Sequence, residues 1–245
     1  MITIIDAQQR YYVNHGWSQV YCLFPANSTH DLARTSQDLS NYFGNILLIN
    51  DYTIAPNCGY DMHPHQNLEQ IFIVIKGELT HKDSLNNHLV LTDNSVQRIT
   101  AGSGYARSNH NYTDTPARYL GIWFMPKKQN AEPQHEVRNY PPKLWSETFY
   151  PVASDTPKNQ SMEDFPTIIF NAGASVYRVK VKEKALNFTI EAHQKALLYV
   201  TDGSITCQGQ SMPMGSHARI LGKEKIQLQS TDYGECVFIV ISEER

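Results

Sequence analysis

The chain has 245 residues, of which 41% are hydrophobic and 18% charged, and its formal net charge is −3. This composition is typical of a globular protein, and the length suits one large or two small all-β domains. The charge balance provides no broad basic surface for phosphates, so direct nucleic-acid binding is not expected. No apolar run approaches the ~20 residues that a membrane-spanning helix needs, so no membrane association is expected either.

Four cysteines occur in the chain, and their spacing matches no zinc motif: Cys22, Cys58, Cys207 and Cys236. Two disulfides are conceivable by number alone. The first residues lack the basic and apolar segments of a secretory signal, which favours reduced, mostly buried thiols and a cytoplasmic protein.

Strand signals dominate the first half of the sequence. Residues 21–45 are polar and rich in turn formers, which predicts a long loop. Residues 71–75 form a continuous β-branched and aromatic run, typical of a strand buried on both faces. Residues 78–83 alternate in polarity and residues 84–87 predict a hairpin turn. Further strands are predicted at residues 45–49, 96–100 and 119–125.

Prolines then become frequent, with seven between residues 126 and 166. This density argues against a strand in a sheet interior and against a long helix. It predicts a connection between domains, with one short helix near residues 143–145 after a proline pair.

Strand signals resume at Thr167, and residues 195–203 repeat the pattern of residues 70–77, a buried strand that runs into a glycine turn. Many short strands, hardly any helix and one internal duplication predict an all-β protein of two stacked barrels or jelly rolls.

The candidate site begins at His63 and His65. Side chains at i and i+2 of a strand share a face, so both imidazoles are predicted in one pocket, where they could hold a metal ion or a polar ligand. A later strand would normally bring the remaining ligands, and here that strand brings Arg107 and Asn109.

Several segments together resemble the pirin family. They include His63-Pro64-His65 with Glu69, the apolar strand that follows, and the glycine-rich residues 100–104. Residues 15–17, 49–51, 81–84 and 122–126 also resemble the family pattern, so the likeness covers most of residues 10–140. The second half is similar to the less distinctive C-terminal domain of the same family.

The resemblance implies a bicupin, with two cupin-type jelly-roll barrels in one chain. The corresponding division is an N-terminal cupin domain at residues 1–130, a proline-rich connection at 131–166 and a C-terminal cupin domain at 167–245 without a metal motif. Members of the family bind a divalent metal, usually iron, in the N-terminal cupin. Some oxidise quercetin with O₂, and some eukaryotic members are transcriptional co-regulators.

By position, the family's four ligands fall on His63, His65, Arg107 and Asn109, so this sequence departs from the pattern at the last two. Glu69 could complete a set of two histidines and a carboxylate for Fe(II), or could only orient a histidine. Asn109 could offer a weak oxygen ligand. His110 lies at odd spacing from Arg107 and could face inward only through a bulge.

Arg107 is the stronger objection to a metal, because a guanidinium is always protonated and only donates hydrogen bonds. If it points inward, it would replace the cation, pair with Glu69 and hydrogen-bond a neutral His63 or His65. The pocket would then bind a small anion or form a closed polar network. The sequence therefore favours the absence of a metal over Fe(II) or another divalent ion.

The other candidates have plainer interpretations. His81 and Asp83 are interpreted as part of a solvated turn, and Tyr60 and Tyr105 as residues flanking the pocket mouth. The histidines of the second half, His193 and His217, are interpreted as structural or exposed.

Two hypotheses for function remain. The first is a pirin-like bicupin with a degenerate N-terminal metal site, which binds a small organic ligand or anion or acts as a regulator with a protein partner. The alternative is an iron-dependent dioxygenase of the quercetin 2,3-dioxygenase type. No catalytic residue is assigned.

Overall fold

The structure is a computed structural model that describes residues 1–24, 43–156 and 164–242. Most of the loop predicted at residues 21–45 lies outside these ranges. Within them the chain consists of short strands and two one-turn 3₁₀ helices, Ala7–Gln9 and Pro142–Trp145. No helix among the described residues is long and apolar enough to cross a membrane.

The strands of the first half are β1 (Ile2–Ile5), β2 (Tyr11–Asn14), β3 (Ser18–Cys22), β4 (Ile46–Ile54), β5 (Cys58–His65), β6 (Glu69–Lys76), β7 (Leu79–Asp83), β8 (His88–Leu91), β9 (Ser95–Thr100), β10 (Tyr105–Asn111), β11 (Ala117–Phe124) and β12 (Gln134–Asn139). Those of the second half are β13 (Phe149–Ser154), β14 (Ile168–Ile169), β15 (Ala174–Val181), β16 (Leu186–Ile190), β17 (Gln194–Cys207), β18 (Gln210–Pro213), β19 (His217–Leu221), β20 (Glu224–Gln229) and β21 (Gly234–Ser242).

The chain divides into two compact units. The N-terminal unit comprises Tyr11–Tyr140 together with Phe170–Ala172, and the C-terminal unit comprises Met1–Arg10, Pro141–Ile169 and Gly173–Arg245. The prediction of an all-β chain with two barrels is confirmed.

Two sheets enclose the core of the N-terminal unit. One has seven strands in the order β12-β9-β6-β11-β4-β3-β2, and the other has four in the order β5-β10-β7-β8. Apolar side chains from both sheets meet between them, among them Phe72, Leu79 and Tyr119. Each sheet therefore has one face that lines the barrel interior, which is where the inward residues of β5, β7 and β10 lie.

The C-terminal unit is built around a ten-stranded sheet whose main path is β1-β19-β17-β21-β15-β13-β14. Its apolar core includes Leu198, Ile220 and Phe238.

Two segments belong to a different unit from the one in the predicted division. Residues 1–10 belong to the C-terminal unit, because β1 pairs with β19 from Ile2 opposite Ile220 to Ile5 opposite His217. Residues 170–172 belong to the N-terminal unit, where Phe170 contacts Phe124 with ring centroids 5.3 Å apart. Long-range pairing of this kind leaves no local signal in a sequence.

The proline-rich stretch contains more sheet than its prolines suggest. β12 and β13 both lie within residues 131–166. Pro151 is accommodated in β13 at a register shift between Pro151 and Ala153, where a missing N–H interrupts no regular ladder. The short helix expected after the proline pair is present at Pro142–Trp145, with a proline in its first turn.

Candidate functional site

Three neighbouring strands of the four-stranded sheet carry the site. On the central strand β10, Arg107 is paired with His63 of β5 on one side and with Asp83 of β7 on the other. Two residues further along, Asn109 is paired with His81 of β7. Residues opposite one another share a face of a sheet. The pairs His63/His65, Arg107/Asn109 and His81/Asp83 are therefore presented side by side.

A bulge in β5 decides which side chains enter this row. The register between β5 and β10 shifts between Arg107 and Asn109, so that Asn109 is opposite Tyr60. Tyr60 then lies beside His63, with ring centroids 6.4 Å apart. The Asp61 side chain is 98% exposed and pairs with His110. The bulge thus turns a carboxylate away from the histidine pair.

His63 and His65 lie together as predicted, with ring centroids 4.8 Å apart. The His63 Nδ1 atom lies 2.6 Å from the Asp61 carbonyl oxygen, so Nδ1 carries the proton and Nε2 is left as an acceptor. The His65 Nε2 atom is buried without a hydrogen-bond partner. Burial and the Arg107 charge lower the pKa of both rings, that of His65 to about 2, so both are neutral.

Arg107 points into the barrel and is 4% exposed. Its guanidinium carbon lies 4.5 Å above the Phe72 ring, and its Nε donates to the Gln70 side-chain oxygen at 3.2 Å. Burial lowers the pKa of Arg107, and nearby tyrosines partly offset this shift by raising it. In the part of the chain that the structure describes, Arg107 forms no ion pair. A buried cation is therefore held by neutral groups alone.

A chain of hydrogen bonds fixes Asn109 beside Arg107. The Tyr105 hydroxyl donates its proton to Asp83 Oδ2 at 2.5 Å. The His81 Nε2 atom lies 3.1 Å from the same hydroxyl oxygen, so Nε2 is the donor in the hydrogen bond between His81 and Tyr105. His81 Nδ1 is then an acceptor, and the Asn109 amide nitrogen donates to it at 2.8 Å. In this orientation the Asn109 oxygen accepts from Arg107 Nη1 at 3.0 Å.

Glu69 lies elsewhere in the unit. Successive side chains of a strand point to opposite faces, and its neighbour Gln70 is the one that contacts Arg107. Glu69 Oε2 accepts from Thr100 Oγ1 at 3.1 Å and from the Asn171 backbone N–H at 3.3 Å. Burial raises its pKa to about 7. These contacts support neither Glu69 as a third ligand nor the predicted pairing of Glu69 with Arg107.

The interpretation of His81 and Asp83 as a solvated turn is wrong. His81 is fully buried and Asp83 is 7% exposed. Although burial opposes ionisation, hydrogen bonds from Tyr105 and Asn87 lower the pKa of Asp83 to about 2. The imidazole of His135, on β12, is parallel to that of His81 with ring centroids 4.8 Å apart. The i, i+2 spacing of His81 and Asp83 is the signal that could have revealed them.

The remaining candidates occupy diverse positions. His110 contacts exposed Asp61 and stacks on Tyr112, so it stays outside the row, as regular alternation requires. Tyr105 is buried within the hydrogen-bonded chain rather than at a pocket mouth. In the C-terminal unit His193 is exposed, whereas His217 is buried.

These residues do not fit a divalent cation at the family's position. His63 is prepared for one, because a histidine ligand commonly donates its other N–H to a carbonyl oxygen. However, Arg107 occupies the third ligand position with a fixed positive charge, and no carboxylate of the described chain joins the histidine pair. If a cation lay about 4 Å from the Arg107 guanidinium, each unit of its charge would be repelled by about 4 kcal/mol at an effective dielectric of ~20.

Comparison with known proteins agrees with the architecture. Residues 12–124 match the family model described as Pirin. A Zymomonas mobilis protein, provisionally named a quercetin 2,3-dioxygenase, is 29% identical over 230 residues, which cover 94% of this chain and 93% of the relative. The protein named quercetin 2,3-dioxygenase from Escherichia coli K12 is 24% identical over 241 residues, 96% of each chain.

Solved structures show the same fold. The bacterial pirin YhhW from Escherichia coli, in complex with nickel(II), superposes with a TM-score of 0.85 at 22% identity and 100% coverage of both chains. A quercetin 2,3-dioxygenase from Acinetobacter baumannii gives a TM-score of 0.71 at 14% identity, with 98% of this chain and 79% of that chain covered.

The fold and its likeness to these structures define the class, which is that of a bicupin. By sequence, residues 12–124 match the family model described as Pirin, so this part of the chain resembles a pirin. The resemblance expected from the sequence is thereby confirmed.

Proposed function

We propose that the N-terminal barrel binds a small organic anion through Arg107, in a pirin-like protein whose motif position no longer holds a metal. The observation that carries this proposal is the buried guanidinium without a carboxylate partner among the described residues. Burying an unpaired charge costs several kcal/mol, so an anion that neutralises it would be bound favourably.

The surroundings of Arg107 favour an anion with an aromatic or other flat apolar body. Aromatic side chains line this part of the barrel, and Tyr52 stacks on Tyr119 with ring centroids 4.7 Å apart. The His63 Nε2 atom can accept one hydrogen bond, and the His65 Nε2 atom, which has no partner, can donate or accept one. A carboxylate could meet the guanidinium while an apolar ring contacts the tyrosines.

The proposal is tested by measuring the melting temperature of the protein with a panel of small carboxylates that begins with benzoate. The controls are the corresponding neutral amides, beginning with benzamide. We expect a carboxylate, but not its amide, to raise the melting temperature of the wild type. A ligand at 100 times its dissociation constant adds about 2.7 kcal/mol of stability. Arg107→Gln should abolish this effect, and the matched variant of a partly exposed arginine, Arg138→Gln, should retain it.

The same experiment separates a ligand site from a closed polar network. If the guanidinium is uncompensated, Arg107→Gln without ligand should be as stable as the wild type or more stable, since it removes a buried unpaired charge. A large loss of stability in ligand-free Arg107→Gln, together with no carboxylate effect on the wild type, would overturn the proposal.

The second candidate is an iron-dependent dioxygenase of the quercetin 2,3-dioxygenase type. It is favoured by the names of the relatives and by the hydrogen bond that orients His63. Metal analysis after anaerobic incubation with Fe(II), beside a His63→Ala control, tests it. Stoichiometric iron that is lost in the control would favour the dioxygenase and argue against a degenerate site. A regulatory role with a protein partner and a cytoplasmic location stay predictions.

A further inference from the structure

We propose that His81, Asp83 and His135 form a binding site for a divalent transition-metal ion, displaced from the family's metal position to the other side of β10. One possible ligand atom from each of the three residues lies within 4.8 Å of the other two. The four ligand positions that the family resemblance implies include none of these residues.

The donor set is chemically appropriate. Two imidazoles and one carboxylate suit Fe(II), Co(II), Ni(II) or Zn(II) better than Mg²⁺ or Ca²⁺, which prefer oxygen ligands alone. His81 Nε2 and Asp83 Oδ2 are 3.3 Å apart. Two ligand atoms that are each about 2.1 Å from a shared ion are separated by about this distance. These two donors therefore already have the spacing of a metal-bound pair.

The β7 strand and its turn hold the carboxylate in place. Asp83 Oδ1 accepts from the backbone N–H groups of Leu85 and Asn87, each at 2.9 Å. This fixes the carboxylate plane and leaves Oδ2 toward His81. Oδ2 also accepts from Asn87 Nδ2 and from Tyr105, so an ion would displace one of these neutral donors.

His135 must rotate to bind. Its ring is parallel to that of His81, within 4°, and a metal ion lies in the plane of each imidazole that binds it. His135 is half-buried on β12, the edge strand of its sheet, and its Nε2 atom lies 2.8 Å from the Gln97 amide nitrogen. A change of its side-chain torsions would exchange this one neutral hydrogen bond for a bond to the ion.

Asn109 supplies the outer hydrogen bond that a metal-bound His81 needs. An ion on Nε2 moves the His81 proton to Nδ1, which then donates to an acceptor. The Asn109 side chain lies 2.8 Å from Nδ1 and presents its oxygen there after a half-turn of the amide. The amide nitrogen would then face Arg107, so metal binding is expected to loosen the Arg107 side chain.

Titration of the metal-free protein with Co(II) tests the site, since the visible spectrum of Co(II) reports nitrogen and oxygen ligation directly. We expect one Co(II) per chain. His135→Gln should weaken binding by more than ~100-fold, beyond the roughly 10–100-fold that loss of an outer hydrogen bond costs. The control is the double variant His63→Gln/His65→Gln, which makes the same chemical change at the family's ligand position. It should bind Co(II) as tightly as the wild type does.

A thiolate variant provides a signal that misfolding could not imitate. His135→Cys should bind Co(II) with an intense sulfur-to-cobalt charge-transfer band in the near ultraviolet. The proposal is overturned if the wild type binds no Co(II), if binding is lost in His63→Gln/His65→Gln but kept in His135→Gln, or if folded His135→Cys binds Co(II) without that band.

Discussion

Position 107 places a charged side chain beside the histidine pair of β5. The histidine pair on β5 keeps the arrangement of a metal site, including the hydrogen bond from His63 to the Asp61 carbonyl oxygen. Arg107 brings a permanent positive charge opposite that pair, and Asn109 brings no negative charge to offset it. The neutral histidines beside the charged arginine are the arrangement on which the proposed anion site rests.

Glu69 allows a test of pH dependence at the scale of a single residue. Its pKa rises from 4.5 to about 7 in the folded protein because of burial. The folded state then binds more protons than the unfolded state between these values, so stability falls as pH rises through the window. The difference of about 2.5 pKa units corresponds to about 3 kcal/mol at most.

Glu69→Gln should therefore remove the fall in stability that the wild type shows as pH rises. Urea unfolding between pH 4.5 and 8 measures the free energy of unfolding of both proteins. We expect the variant to gain stability over the wild type as pH rises, most of all near pH 8. Exposed Glu132→Gln is the control and should follow the wild-type curve. A Glu69→Gln curve parallel to that of the wild type would show that Glu69 is ionised at little cost.

At the scale of elements, the close approach of β5 and β10 sets the geometry of the site. Gly59 of β5 is opposite His110, at the end of the segment that contains the bulge. A Cβ atom at Gly59 would collide with the Asn109 carbonyl oxygen and the His110 Cα atom, both parts of the β10 backbone. The glycine is thus needed for contact between the strands, and no flexible side chain can move aside.

Gly59→Ala should displace β5 from β10 and destabilise the N-terminal unit by about 1–3 kcal/mol, the usual cost of overpacking. Chemical denaturation followed by tryptophan fluorescence would measure the change. Met62→Ala, at an exposed position of the same strand, is the control and should change stability by less than about 0.5 kcal/mol. Equal behaviour of the two variants would mean that the strands can separate without cost.

At the scale of the whole molecule, the first residues of the chain complete a unit formed mostly by its last third. β1 adds to the edge of the ten-stranded sheet, and Ile2 and Ile4 pack against the apolar core of the C-terminal unit. Because the contacts of each unit are mostly internal, a change in β1 should be felt in the C-terminal unit first.

Ile4→Asp should destabilise the C-terminal unit by about 2 kcal/mol or more, since it places a charge against apolar side chains. Hydrogen exchange resolved by peptide should show faster exchange in β17 and β19 and little change in β5, β7 and β10. Thr3→Ala, on the exposed face of β1, should leave exchange unaltered. Faster exchange in the N-terminal unit at the same denaturant concentration would contradict this assignment of β1.

The sequence by itself determined the strand content, the two-barrel architecture, the pirin-like family and the histidine pair. These features depend on local patterns: alternation along single strands, turn residues, and the adjacent letters of the His63-Pro64-His65 motif. It also located the departure at Arg107 and Asn109, because these residues are found by counting along one strand.

The tertiary structure alone decided which residues meet. Arg107 contacts Gln70 rather than Glu69. This choice depends on the alternation of side chains along β6 and on the register of β6 within the barrel. The burial of His81 and Asp83 and their approach to His135 depend on the pairing order of separate strands. Such order is set by the packing of a whole core, and contacts between distant segments leave no periodic signal within either segment.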